Sequence, residues 1–398
     1  MKRIAYVAMG EASLNKAHSI QTFHTCKNLA KENKVKVIYP LSPINYMNSK
    51  ETKGFYRDSN LELKFIPKSF LTYFLTRLNL PGRYFFYFLE RLLFSFLTFV
   101  HILGSKTDIV FIRDPVVAFF FAVFRNIHKK KLVYEIHKFE YIEFERASLI
   151  FRKMSKHIET TILKNFDAVI ATSSWLGNYV KRFNKNTLFL PNAFDGRAFK
   201  PKDKYSSRKK LNIPKEYKIL MYSGISFRQG IENLIYSMKN FDKNDKVMLY
   251  VVGGLPEQVV KLAKVSKKLK LDNRIVFVGS VPHQSVSDYL NASDLLILPY
   301  SRNNFTEYLT SPLKLFEYMA VKKPIIATKV GCFKGILKNG ENALLVEPDN
   351  PKALLEGVKR ILKDEELAKR IAKNAYEDSK KYTYDERMSK IGKILYKI

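Results

Sequence analysis

The clearest chemical signal in the chain is Ser311, Lys314 and Glu317, in the stretch Ser311-Pro-Leu-Lys-Leu-Phe-Glu-Tyr-Met-Ala320. A Ser side chain accepts from the free N–H groups of a helix start, and Pro at the first helical position gives up only an N–H without a partner. The spacing therefore predicts a helix that begins at Ser311-Pro312. Leu315, Phe316, Met319 and Ala320 form its apolar face, and the run Pro324-Ile-Ile-Ala327 predicts a buried parallel strand after it. Lys314 falls in the first turn, where the helix macrodipole disfavours a cation unless an anion is also present, and Glu317 falls one turn further on. That is the layout of a phosphate site with a hydroxyl-binding carboxylate beside it. A solvated Lys–Glu pair is the commoner use of this spacing, and spacing alone leaves both readings open.

The wording of the stretch narrows the choice. Ser-Pro-Leu-Lys-Leu-Phe-Glu-Tyr-Met-Ala, a basic dipeptide and Pro-Ile-Ile-Ala together resemble the donor-nucleotide motif of glycosyltransferase family 4 and its GT-B relatives. The resemblance implies that Glu317 holds the ribose hydroxyls of a nucleotide sugar, and that the helix start at Ser311, Pro312, Leu313 and Lys314 faces the diphosphate. Many family members carry another glutamate eight residues earlier, at the donor sugar; Leu309 stands there in this chain, with Glu307 and Tyr308 as its nearest substitutes.

Other candidates sit at strand ends. His137 follows the predicted strand Leu132–Ile136; a His in such a place is more often a loop hydrogen-bonder, yet carboxyl ends of parallel strands are where α/β sheets put ligands. The resemblance makes His137 the group facing the transferred sugar and the acceptor, while Glu135, Glu140, Glu143 and Glu145 nearby read as solvated, or one of them as a partner for an acceptor hydroxyl. The loop Gly224-Ile-Ser-Phe-Arg-Gln-Gly230 joins a strand to a helix, and its glycines let backbone N–H groups approach a phosphate. By resemblance Arg228 supplies a cation for the leaving diphosphate, Gly224 lies at the donor, and the turn containing Gly279 and Val281 borders the base. Gly10, after the first strand, is the counterpart of the family's glycine loop near the sugar.

Strands at Ile4–Ala8, Val35–Tyr39, Asp108–Arg113, Leu132–Ile136 and Asp167–Ser174, and later at Lys218–Ser223, Val247–Val252, Ile275–Val278 and Leu295–Leu298, alternate with helical patterns. This predicts parallel, doubly wound sheets. At 398 residues the chain is long for one core. The expected organisation is two facing Rossmann-like domains of the GT-B type. An acceptor domain spans 1–200, a polar linker 201–216, a nucleotide-sugar domain 217–380, and a helix at 381–398 returns to the first domain.

Composition sets further bounds. The net charge is +32, with 32 basic against 15 acidic residues in the first 200 positions and 37 against 22 in the rest. Spread in this way, it fits a lysine-rich composition without function as well as an anionic partner: a phosphate-bearing substrate, an anionic membrane surface or nucleic acid. The stretch Lys68–Leu103 is aromatic and apolar but punctuated by arginines; its longest uncharged part falls short of the about 20 residues a span needs. It reads either as core helices broken at Pro81-Gly82 or as an amphipathic surface meeting anionic lipid. Cys26 and Cys332 lie far apart with no His cluster, which argues against a disulfide framework or zinc, and no carboxylate pair has metal spacing. No metal or cofactor is expected; the nucleotide sugar is a substrate. The start of the chain lacks the pattern of a signal peptide, and a cytoplasmic site, peripheral on the inner face of the plasma membrane, is expected.

The expected activity is a retaining, metal-independent glycosyl transfer to a glycan or lipid-linked acceptor in cell-surface polysaccharide or glycolipid synthesis. A GT-B sugar-nucleotide epimerase is the alternative, and a basic nucleic-acid-binding protein ranks below it for want of an aromatic-basic RNA motif. The absence of G-x-G-x-x-G after the first strand weakens a nicotinamide oxidoreductase.

Overall fold

The computed structural model describes residues 1–9, 17–41, 60–67, 83–139, 142, 148–226, 229–242 and 245–398. Gly10, Arg228 and the expected break at Pro81-Gly82 lie outside the described residues. The chain divides into two compact units, Met1–Pro191 with Arg387–Ile398, and Asn192–Glu386.

The first unit runs β1 (Arg3–Val7), α1 (Ala17–Leu29), β2 (Lys34–Leu41), β3 (Leu61–Pro67), α2 (Arg83–Leu103), β4 (Ile109–Ile112), α3 (Pro115–Val123), α4 (Arg125–His128), β5 (Lys131–Ile136), α5 (Leu149–Asn165), β6 (Ala168–Ala171), α6 (Ser174–Val180) and β7 (Thr187–Phe189). Its described strands form a parallel sheet in the order β3-β2-β1-β4-β5-β6-β7. Apolar runs such as Ile109-Val-Phe-Ile112 suit the middle of this sheet, where every residue of β4 is buried. Asp114 caps α3 as its sequence predicts: the carboxylate accepts the Val116 and Val117 N–H groups, and Pro115 occupies the first turn.

The second unit runs α7 (Lys204–Leu211), β8 (Lys218–Ser223), α8 (Ile231–Met238), β9 (Val247–Val252), α9 (Pro256–Lys268), β10 (Ile275–Gly279), α10 (His283–Ala292), β11 (Leu295–Leu298), α11 (Leu313–Ala320), β12 (Ile325–Thr328), β13 (Leu344–Val346), α12 (Pro351–Lys363) and α13 (Glu365–Ser379). Its parallel sheet has the order β10-β9-β8-β11-β12-β13. In both sheets the order reverses beside the first strand, at β1/β4 and β8/β11. Open α/β sheets bind ligands at such switch points, outside the carboxyl ends of the strands.

Two boundaries differ from those the sequence predicts. The stretch 201–216, expected as a linker, belongs to the second unit: Asp203 caps α7, and Arg208 is buried, donating to Asp294 at 2.6 Å and to the Ala292 carbonyl at 2.9 Å. A lysine- and arginine-rich run reads as solvated unless a buried carboxylate takes one of its cations, and Asp294 does so here. The division falls at Pro191 instead of residue 200 because the next residues pair inside the second unit, Phe194 exchanging backbone hydrogen bonds with Tyr382 and Tyr384 at 3.1 Å. The terminal helix α14 (Tyr384–Lys397) buries Met388, Ile391, Ile394 and Leu395 in the first unit's core with Ile4, Tyr6 and Val37. Burial of each such side chain is worth about 1.5–3 kcal/mol.

Helix α2 has two unlike faces. Phe94, Phe99 and Ile102 are buried, with Phe99 against the Phe120, Phe121 and His128 rings at centroid distances of 5.5, 5.5 and 5.9 Å. On the other face Leu89, Leu93, Phe96, Val100 and Leu103 are exposed, Phe96 to 52%. Among the described residues no helix is long and apolar enough to cross a membrane.

Candidate functional site

In the second unit, β8 delivers Tyr222 and Ser223 to the carboxyl edge of the sheet, and the chain turns at Gly224 with φ +69°. A side chain there would be strained, and its Cβ would meet the Lys314 ammonium at 3.6 Å. Lys314 reaches across from the first turn of α11: its Nζ donates to the Gly224 carbonyl at 2.7 Å, to Gln229 Oε1 at 2.8 Å and to the Tyr222 hydroxyl at 3.2 Å. It also lies 4.2 Å from the centroid of the Tyr222 ring. Burial lowers the Lys314 pKa to about 7, against the raising influence of Glu317. Two hydroxyls behind it are sealed in: the Tyr318 hydroxyl accepts the Ser223 N–H at 2.8 Å and receives the Ser223 hydroxyl at 3.3 Å.

The helix start is built differently from its prediction. Pro312, in an extended conformation, is the N-cap residue, and no side chain caps α11. Ser311 is occupied elsewhere: its Oγ accepts the Asn192 N–H at 2.9 Å and its carbonyl accepts from the Asn192 side chain at 2.5 Å. The result is a first turn, Leu313 and Lys314, whose N–H end is not closed by a side chain, which suits an incoming anion.

Glu317 is 7% exposed and takes no ion pair with Lys314, so the solvated-pair reading fails. Its Oε1 lies 2.8 Å from His283 Nε2 at the start of α10. Burial alone would lower the His283 pKa; the hydrogen bond and charge of Glu317, with Asp195 adding, raise it instead. Gly279, four residues before His283, has φ +76° and open space at its Cβ position, and Val281 is half-buried against the core. Glu307 serves the polypeptide: Oε2 accepts the Gly331 N–H at 3.0 Å and Oε1 accepts from Arg302 at 3.1 Å.

In the first unit His137 follows β5 at the carboxyl edge, as predicted, and is half-buried. Its Nε2 is shared by Glu135 Oε1 at 2.7 Å and Arg113 Nη2 at 2.8 Å. Glu135, expected among solvated carboxylates, is instead fully buried. The chain surrounds it with cations and donors: Arg387 from α14 at 2.9 Å, Gln21 from α1 at 3.1 Å and Arg113 at 3.5 Å. Burial opposes its ionisation, but Arg387, the His137 hydrogen bond and Arg113 hold its pKa well below the usual carboxylate range. Burial also pulls the His137 pKa down to about 4, with Arg113 adding to the shift and Glu135 opposing it. His137 is thus a neutral imidazole at pH 7, able to hydrogen-bond a hydroxyl.

Residues 203–378 match the family described as Glycosyl transferases group 1. The matched segment makes up most of the second unit. It contains Lys314, Glu317, His283, Gly224 and Gly279 together. The chain is similar to the N-acetyl-alpha-D-glucosaminyl L-malate synthase of Bacillus anthracis, 27% identical over 220 residues, which is 54% of this chain and 55% of that one. It spans about half the length of the curated relatives it matches. Among solved structures, Anabaena HepE in complex with UDP-glucose superposes with a TM-score of 0.75 at 17% identity, covering 100% of both chains. WaaG, a glycosyltransferase involved in lipopolysaccharide biosynthesis, superposes with a TM-score of 0.68 at 15% identity, covering 98% of this chain and 99% of that one. The fold is GT-B.

Among the described residues, no group of three or more His, Cys, Asp or Glu stands where it could hold a metal ion. Beyond the residues singled out from sequence, the cluster in the second unit draws on Tyr222, Gln229 and His283, and the cluster in the first unit on Arg113 and Arg387. Arg113 was within reach of sequence reasoning, since it follows β4 as His137 follows β5.

Proposed function

We propose that the protein is a retaining glycosyltransferase, moving a sugar from a nucleotide-sugar donor to a glycan or lipid-linked acceptor in cell-surface polysaccharide or glycolipid synthesis. The observation that carries this reading is Lys314 at the open start of α11, one turn before the nearly buried carboxylate of Glu317. The HepE complex with UDP-glucose and the part WaaG plays in lipopolysaccharide biosynthesis support it.

In this reading the second unit takes the donor and the first unit the acceptor. The anomeric C–O bond to the diphosphate breaks and a bond to an acceptor hydroxyl forms on the same face, the hydroxyl proton leaving with the departing phosphate oxygen. Negative charge grows on the diphosphate, where Lys314, Arg228 and the N-terminus of α11 stabilise it without a divalent metal. Glu317 accepts from the ribose hydroxyls, Gly224 and Gly279 leave room for donor and base, and neutral His137 hydrogen-bonds the sugar or acceptor. The enzyme works in the cytoplasm at the inner membrane face. The exposed stripe on α2, with Arg152, Lys153 and Lys156 on α5, supports contact with an anionic surface; α3 packs against both helices.

Sugar transfer from a labelled donor to polyprenyl-linked glycan, followed by NMR of the product, tests the reading. The transferred sugar keeps the anomeric configuration it had in the donor, and Lys314→Met lowers kcat by about 10²–10³-fold. An inverted product would overturn retention, and conversion of the donor to an epimer without acceptor would overturn transfer.

A further inference from the structure

A carboxylate that reads hydroxyl groups has to hold still and keep a lone pair free. Glu317 meets both needs through one neighbour outside its own helix. Its Oε1 is engaged by His283 at 2.8 Å, while Oε2 has no hydrogen-bond partner among the described residues. His283 is itself held by packing: its ring lies 5.1 Å from that of Phe199, tilted by 55°, and Phe199 is 1% exposed. The imidazole follows the Gly279 turn, where nothing lies within 4 Å of the Cβ position. Lys314 does not compete for Glu317, because Tyr222, Gly224 and Gln229 take its ammonium.

We propose that His283 is a positioning residue for ribose recognition: its Nε2–H fixes one oxygen of Glu317, so that the other is presented to the 2′- and 3′-hydroxyls of a nucleoside diphosphate. The inference rests on the nucleotide-sugar reading above and adds to it the group that sets the geometry of the ribose contact. Without that hydrogen bond the carboxylate is free to rotate, and the preference for ribose over deoxyribose falls with it.

Calorimetric titration with UDP, GDP, ADP and CDP, each beside its 2′-deoxy form, tests this on the full chain. Two variants of similar size separate packing from hydrogen bonding. His283→Phe keeps a ring against Phe199 but removes the donor, and His283→Gln places an amide N–H near the position of Nε2. The wild type binds one ribonucleotide about tenfold or more tightly than its deoxy form, since hydrogen bonds to a charged acceptor are the strong ones. In His283→Phe the ribonucleotide loses about tenfold in affinity while the deoxy form is little changed, and His283→Gln restores most of the preference. An unchanged preference in His283→Phe, an equal loss for both sugars, or a His283→Gln variant that behaves as His283→Phe would overturn the inference and leave the donor reading standing. Failure of every nucleoside diphosphate to bind the wild type would overturn both.

Discussion

Lys314 is poised between charged and neutral. Its ammonium has three oxygen partners but no carboxylate, and burial brings its pKa to about 7. A diphosphate placed there favours the charged form, so the lysine of the free protein is protonated below pH 7 and has to take up a proton to bind a donor above it. Donor affinity therefore stays level below about pH 6.5 and falls by up to tenfold per pH unit above about 7.5, while Lys314→Met binds weakly with no such slope. Titration calorimetry from pH 5.5 to 9 measures it. The Lys314 and Glu317 positions were readable because they stand three positions apart on one helix. Their partners were not: Tyr222 lies 92 residues before Lys314 and His283 lies 34 before Glu317, and no local pattern joins them. Glu135 misled for the same reason. A carboxylate between Tyr134 and Ile136 looks solvated until Arg387 arrives from 252 residues away.

At the scale of elements, most strands of both sheets follow from short apolar runs ended by glycine or a polar turn, and the parallel topology follows from the helices between them. The pattern fails where a side chain does two jobs or where polar residues face a core. Ser311 carries the right chemistry to cap α11 yet holds Asn192, and α5 mixes lysines with Ile162 and Leu163, which are fully buried. Gly230 and Gly392 offer opposite tests of how the backbone supports the site. Gly230 has φ +70° at the start of α8, and a Cβ there would lie 2.0 Å from the Pro299 carbonyl. Gly230→Ala destabilises the protein by about 2 kcal/mol or more and weakens donor binding through its neighbour Gln229. Gly392 lies inside α14 with nothing within 4 Å of its Cβ position, so Gly392→Ala stabilises by about 0.5–1 kcal/mol. Urea unfolding of the two variants checks both signs.

Over the whole molecule a net charge of +32 and an exposed apolar stripe on α2 underlie the proposed membrane contact. In the proposed membrane contact, electrostatic attraction would bring the protein to an anionic bilayer and insertion of apolar side chains would retain it. Cosedimentation with vesicles containing phosphatidylglycerol is expected to fall on addition of 0.5 M salt and to fall again for Leu93→Glu/Phe96→Glu, by about tenfold, with neutral phosphatidylcholine vesicles binding little. Retention of the double variant at the wild-type level would remove α2 from the contact. The central claim, that a nucleotide sugar binds at Lys314 and Glu317, is tested most directly by thermal protection with UDP-, GDP-, ADP- and dTDP-sugars. A donor at one hundred times its dissociation constant adds about 2.7 kcal/mol, or roughly 5–10 °C in Tm. The account predicts such a rise for one donor with the wild type and its loss in Glu317→Ala; no rise with any donor, or an equal rise in Glu317→Ala, would contradict it.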